Sequence, residues 1–189
     1  MITLLKRTIL GFVVLMLLGA GQAFASPAKP STDPSPYFSQ RASTLLSEIQ
    51  SEAAAMKLHT ETLETFAWKP QMSWQSHASY LDRVKGHINK VGERIAELQG
   101  ISDLVEPWQQ KAIDQVTSHA VQVASRTQAA IVYLRGNQDR LFVPEYRDHL
   151  KAVAARSNGM KETLDKYIEY DKTHDAFQRL QNELELDRD

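Results

Sequence analysis

From Tyr37 onward, apolar residues recur at steps of three and four in four long runs, each closed by proline, glycine or a polar cluster. In the first run, Ala42, Leu45/Leu46, Ile49, Ala53, Met56, His59, Leu63 and Phe66 fall on one face of a 3.6-residue helix. They predict a helix over 37–68, ended by Lys69-Pro70-Gln71-Met72. Ser73 then stands as an N-cap for a second helix, whose line Trp74, His77, Leu81, Val84, Ile88, Val91, Ile95, Leu98 alternates three and four without a slip, as in a coiled coil. Gly100 sits where a helix ends.

A third helix opens at Ser102 as N-cap, or one turn later with Pro107 at its first position. Its stripe is Val105, Trp108, Ala112, Val116, His119, Val123, Thr127, Ala130 and Leu134, with Gly136-Asn137 as the stop. Pro144 opens a fourth helix carrying Leu150, Val153, Met160, Leu164, Ile168, Phe177, Leu180 and Leu184. Ser157-Asn158-Gly159 inside that run is the expected place for a bend. No stretch alternates β-branched or aromatic with polar residues, so no strand is predicted. Short connections make consecutive helices antiparallel neighbours, which gives an all-α, up-down-up-down four-helix bundle over 37–189. At 1.5 Å per residue the fourth helix, about 40 residues, is roughly 60 Å long against roughly 40–48 Å for the others. It therefore either overhangs the bundle or folds back near Gly159.

The chain start has a different pattern. Lys6 and Arg7 precede the apolar run 9–18, and Ala23-Phe24-Ala25 supplies a small-residue exit, the signature of a secretory signal peptide cut between Ala25 and Ser26. The run of about ten residues is too short to span roughly 30 Å of hydrocarbon, so no membrane anchor is expected after cleavage. Residues 26–36, with Pro27, Pro30, Pro34 and Pro36 among small polar residues, read as a flexible Pro-rich leader. The expected location is the periplasm or the extracellular space.

Charge and cysteine content narrow the chemistry. Of 22 basic and 23 acidic residues, the signal holds two basic and no acidic ones, leaving 20 against 23 in the mature chain. That balance gives no electrostatic basis for binding nucleic acid or an anionic membrane. With no cysteine, thiolate catalysis, thiolate metal sites, CxxCH haem attachment and lipoprotein acylation are excluded. GxSxG, HExxH and glycine-rich phosphate loops are missing as well. The carboxylates Glu61/Glu64, Glu93/Glu97 and Glu183/Glu185/Asp187 interleave with Lys and Arg as on a solvated helix face.

Two constellations remain. Each helix sets a histidine on or beside its inner line: His59, His77, His119 and His174. Their depths differ too much for one site, but His59, His77 and His149 fall about 12, 6 and 8 Å below the end where the first two helices join. Three imidazoles at one level are a candidate zinc or copper set; the alternative is interfacial histidines with satisfied hydrogen bonds. Met56 or Met160 with histidine would be the pattern for haem, although Met on an apolar face ordinarily fills core gaps. The second constellation is aromatic. Phe66, Trp68 and Trp74 flank the first connection and Tyr133, Phe142 and Tyr146 the third, at the same end of the bundle. They form either a packing cap or an exposed patch for a partner, in which Trp68, Trp74, Phe142 and Tyr146 are the contact candidates.

Trp74-Gln75-Ser76-His77 with Leu81, Lys85, Asn89 and Gly92, followed by Glu106-Pro107-Trp108-Gln109-Gln110-Lys111-Ala112-Ile113, resembles a family of small exported bacterial proteins without an assigned activity. The resemblance implies export and a helical fold over most of the mature chain and supplies no site residues. In size and address the chain is also similar to periplasmic helical chaperones, but it lacks their LTxxQ repeat.

The expected function is therefore non-enzymatic: an exported helical bundle acting by protein interaction, with an envelope protein or a second copy of itself as partner. The alternative is a periplasmic haem or metal carrier built on His59, His77 and His149; an enzyme with a scattered site comes third. No cofactor is expected in the leading reading.

Overall fold

The computed structural model describes residues 35–186, with side chains as far as Leu184. The expected signal peptide (1–25) and leader residues 26–34 lie outside the described residues. Four helices follow in order: α1 (Pro36–Phe66), α2 (Trp74–Ile101), α3 (Pro107–Gly136) and α4 (Pro144–Leu186), with a single 3-10 turn, Ser102–Leu104, before α3. Among the described residues there is no strand, and no helix is long and apolar enough to cross a membrane.

Local chemistry explains the boundaries. Pro36, expected in the leader, instead occupies the first position of α1, where its fixed φ suits a helix and its missing N–H is no loss. The Ser73 side chain accepts from the Ser76 amide and caps α2. Of the two starts expected for α3, Pro107 is the one found; Ser102 begins the 3-10 turn. The Gln109 side chain accepts from the Glu106 amide at 3.1 Å, holding the first turn of α3.

Each helix packs against its neighbours in sequence, and α1 also packs against α4, closing a four-cornered bundle with little contact across the α1–α3 diagonal. The core contains Leu45, Leu46, Ile49 and Met56 from α1, Leu81, Val84, Val91 and Leu98 from α2, Ala112, Val116 and Val123 from α3, and Leu150, Val153, Met160 and Leu164 from α4. Met56 and Met160 are sealed among these apolar groups, as gap-filling methionines are.

The inward lines differ from the expected ones in particular places. Thr60 of α1 and its C-cap residue Ala67 take the inward positions expected for His59 and Phe66; the Thr60 hydroxyl donates to the Lys57 carbonyl and so can be buried. On α3 the buried residue is Gln109 rather than Trp108, its amide donating to the Ser39 carbonyl and the Ser43 hydroxyl. Ile88 is half-buried beside the equally half-buried His87, so the two straddle the seam between Val84 and Val91.

Of the two outcomes open for α4, an overhang or a fold-back near Gly159, the overhang is found. The helix runs unbroken through Ser157-Asn158-Gly159. Ser157 is fully buried, and a Cβ on Gly159 would lie 3.7 Å from His119 Cε1. These small residues sit where α4 lies close to the imidazole of α3. The bundle's lower end is marked by the Ser35 amide, which donates to the Leu104 carbonyl, and by Trp108, which stacks on Tyr167 and meets Tyr170 edge-on. α4 continues past that end.

Candidate interaction surfaces

At the opposite end, the α1–α2 connection (67–73) and the α3–α4 connection (137–143) flank a cleft of about 230 Å³ whose walls include Phe66, Met72, Trp74, Leu141 and Phe142, with His77 at its base. Beneath it lies a buried aromatic layer. His77 and Tyr146 are 1% and 0% exposed, with Nδ1 and Oη 3.2 Å apart, while Tyr133 stacks on Tyr146 and Phe66 meets His77 edge-on. Burial holds the His77 imidazole below its ordinary pKa and pushes the Tyr146 phenol up, so both are neutral near pH 7. The expectation that Tyr146 belongs to an exposed contact patch is corrected here: its ring lies inside the core, because the first turn of α4 faces inward at that position.

The outer layer is exposed. Trp68 and Phe142 are 61% and 55% accessible and Trp74 is 37%. Trp68 is nevertheless held, since the Arg147 guanidinium lies 4.2 Å from its ring centroid and the Lys151 ammonium lies at 6.0 Å. The aromatic end thus has a packed inner cap and three solvent-facing rings, of which Trp74 and Phe142 line the small cleft and Trp68 lies against α4.

The three histidines expected at one level do not converge. The His77 ring sits between Phe66 and Tyr146, His149 packs on Tyr133, and His59 stacks on His87 and meets Tyr80 edge-on. Among the described residues, no group of three His, Asp or Glu side chains is placed to hold a metal ion. Equal depth fixes position along the bundle axis only; each residue's angle around its own helix turns the three rings into separate neighbourhoods. His119 points its Nε2 at the Thr163 hydroxyl, 3.1 Å away, and His174 stacks on Tyr170.

A polar cluster absent from the sequence reading lies on the α1–α2 face. Glu52 is hydrogen bonded to His87 Nδ1 and accepts from Lys90, and His87 in turn stacks on His59. Burial alone would push the Glu52 carboxyl up, but the bonds from His87 and Lys90 outweigh it and hold the carboxyl below its usual range. Burial, reinforced by the charges of His87 and Arg83, lowers His59. Glu52 and His87 are both off the apolar lines, and their 35-residue separation leaves no local signal.

The second apolar surface is the projecting part of α4. Asp171 is half-buried, and beyond His174 every residue over 175–184 is exposed. Phe177, Leu180 and Leu184 are 59%, 56% and 65% accessible. At 100° per residue these three fall within about 60° of arc on one side of the helix. The exposed run alone projects for about 15 Å.

No protein-family model, curated protein or solved structure matches the chain.

Proposed function

We propose that this chain is an exported, non-enzymatic helical bundle that works by protein contact in the cell envelope, with the bundle as a rigid mount for the projecting end of α4. The observation that carries the reading is the fully exposed run 175–184, which aligns Phe177, Leu180 and Leu184 on one side of a helix end whose side chains cover no part of the bundle core. An isolated helix end gains nothing from three large apolar side chains in water, whereas a partner face would bury them. The signal pattern, the near-even charge and the lack of catalytic motifs support the same reading, as does the resemblance to small exported helical proteins. The Trp68, Trp74 and Phe142 rings offer a smaller second surface at the other end.

The test is site-specific photo-crosslinking in cells. A photoreactive residue at Gln181 should give protein adducts in the periplasmic fraction, and one at Glu93, exposed on the side of α2, should not. A Gln181 probe without adducts overturns the interaction reading. The mature chain recovered from that fraction should begin at Ser26; recovery of only the full precursor from the cytoplasm overturns export.

A further inference from the structure

Resting on the reading that projecting α4 is the working surface, we propose that its occupant is the same segment of a second copy of this chain, packed antiparallel about a two-fold axis between Phe177 and Leu180. Spacing supplies the seam. Phe177, Leu180 and Leu184 step by three and four, the rhythm of a coiled-coil interface, and half-exposed Tyr170 and exposed Thr173 continue it backwards by the same steps. An antiparallel pairing that seats Phe177 on the partner's Leu180 also brings Leu184 level with the partner's Thr173. The large side chain then meets a small one, and the seam is self-complementary, as a two-fold interface requires.

Charge decides the direction. Over 169–179, Lys172 and Arg179 nearly balance Glu169, Asp171 and Asp175, while from Glu183 onward the sequence has four carboxylates, Glu183, Glu185, Asp187 and Asp189, and one guanidinium, Arg188. Parallel pairing would place two acidic ends side by side. Antiparallel pairing instead sets each acidic end along segment 169–175 of the second copy, where Lys172 offsets part of the charge of Glu169, Asp171 and Asp175, so the repulsion is smaller. The chain's own leader is a poor cover by comparison: residues 26–34 have only proline and alanine as apolar residues, with no large side chain to shield Phe177 or Leu180.

Sedimentation equilibrium of the mature chain should show mass rising from monomer to dimer over the micromolar range. Leu180→Asp, at a 56% exposed position, should weaken the dimer at least about 30-fold, with helicity and melting temperature at high dilution unchanged. Because the chain has no cysteine, direction can be read by mixing Thr173→Cys with Leu184→Cys chains under mild oxidation. The antiparallel arrangement yields the mixed disulfide; predominance of the two homodisulfides shows parallel pairing and overturns the proposal. A wild-type monomer at every concentration also overturns it, as does a dimer indifferent to Leu180→Asp. If that monomer still gives Gln181 adducts with another protein, the interaction reading survives without the dimer. If the adduct is to residues 26–34 of the same chain, the leader covers the face and the dimer is again overturned. Absence of both dimer and adducts removes both readings.

Discussion

Tyr146 Oη lies 3.2 Å from His77 Nδ1 inside the bundle, and neither side chain is more than 1% exposed, so each is the other's polar partner in an apolar setting. Tyr146→Phe keeps the ring and removes the hydroxyl, leaving a buried imidazole nitrogen unpaired. The expected cost is about 1–3 kcal/mol in urea unfolding. An unchanged midpoint would mean that the pair contributes nothing net.

Acidification should destabilise the protein before its carboxylates titrate. Burial lowers His77, His59 and His119 from their ordinary value, with nearby cations adding to the last two. The unfolded chain therefore takes up protons that the folded chain refuses, so stability rises with pH across the window from the folded values up to about 6.5 and falls as pH drops through it. Unfolding followed between about pH 7 and 5 should show this slope, and His77→Gln should flatten it. A flat wild-type profile would show that the buried imidazoles titrate normally.

Core position along α2 can be graded. Val84 is fully buried and Ile88 is half-buried at the seam edge. Val84→Asp should cost several kcal/mol, roughly 3–5, by burying an unpaired charge, and Ile88→Asp distinctly less because its carboxylate can reach water. Equal losses would place Ile88 in the core.

Gly159→Ala should stabilise. The residue is interior to a continuous helix, and the added Cβ would meet His119 at 3.7 Å, an ordinary contact. The helix preference for alanine gives about 0.5–1 kcal/mol, read as a higher thermal midpoint. Destabilisation would indicate that α4 bends at this point.

Removing residues 177–189 should leave the unfolding midpoint of the dilute monomer within about 0.5 kcal/mol, since the described side chains there are exposed. A larger loss would make the projection part of the bundle's support.

Most of the architecture was legible along the chain because long amphipathic runs repeat one physical instruction many times. Pro107, Ser73 and Pro144 marked helix starts through their local backbone chemistry. The misread positions are polar groups whose burial depends on a partner: Thr60 answers to its own helix carbonyl, and Gln109 to Ser39 and Ser43, some seventy residues away. At Gly159 the sequence left a bend and a continuous helix both open, since the low helix preference of glycine favours the first, and packing of α4 against α3 selects the second.

Sequence periodicity determined by itself that there are four helices, which faces are largely apolar, and that the fourth is longer than the rest, because those properties depend on spacing within one helix. Tertiary structure decided the rest. The angular setting of each helix scattered His59, His77 and His149, buried Tyr146 against His77, and left Trp68 and Phe142 in water. Phe177, Leu180 and Leu184 have the same periodic signature as Leu150 or Leu164, yet only the latter lie within the bundle. Whether an apolar line becomes core or surface depends on where the neighbouring helices stop, and that is a relation between elements which no single run of residues contains.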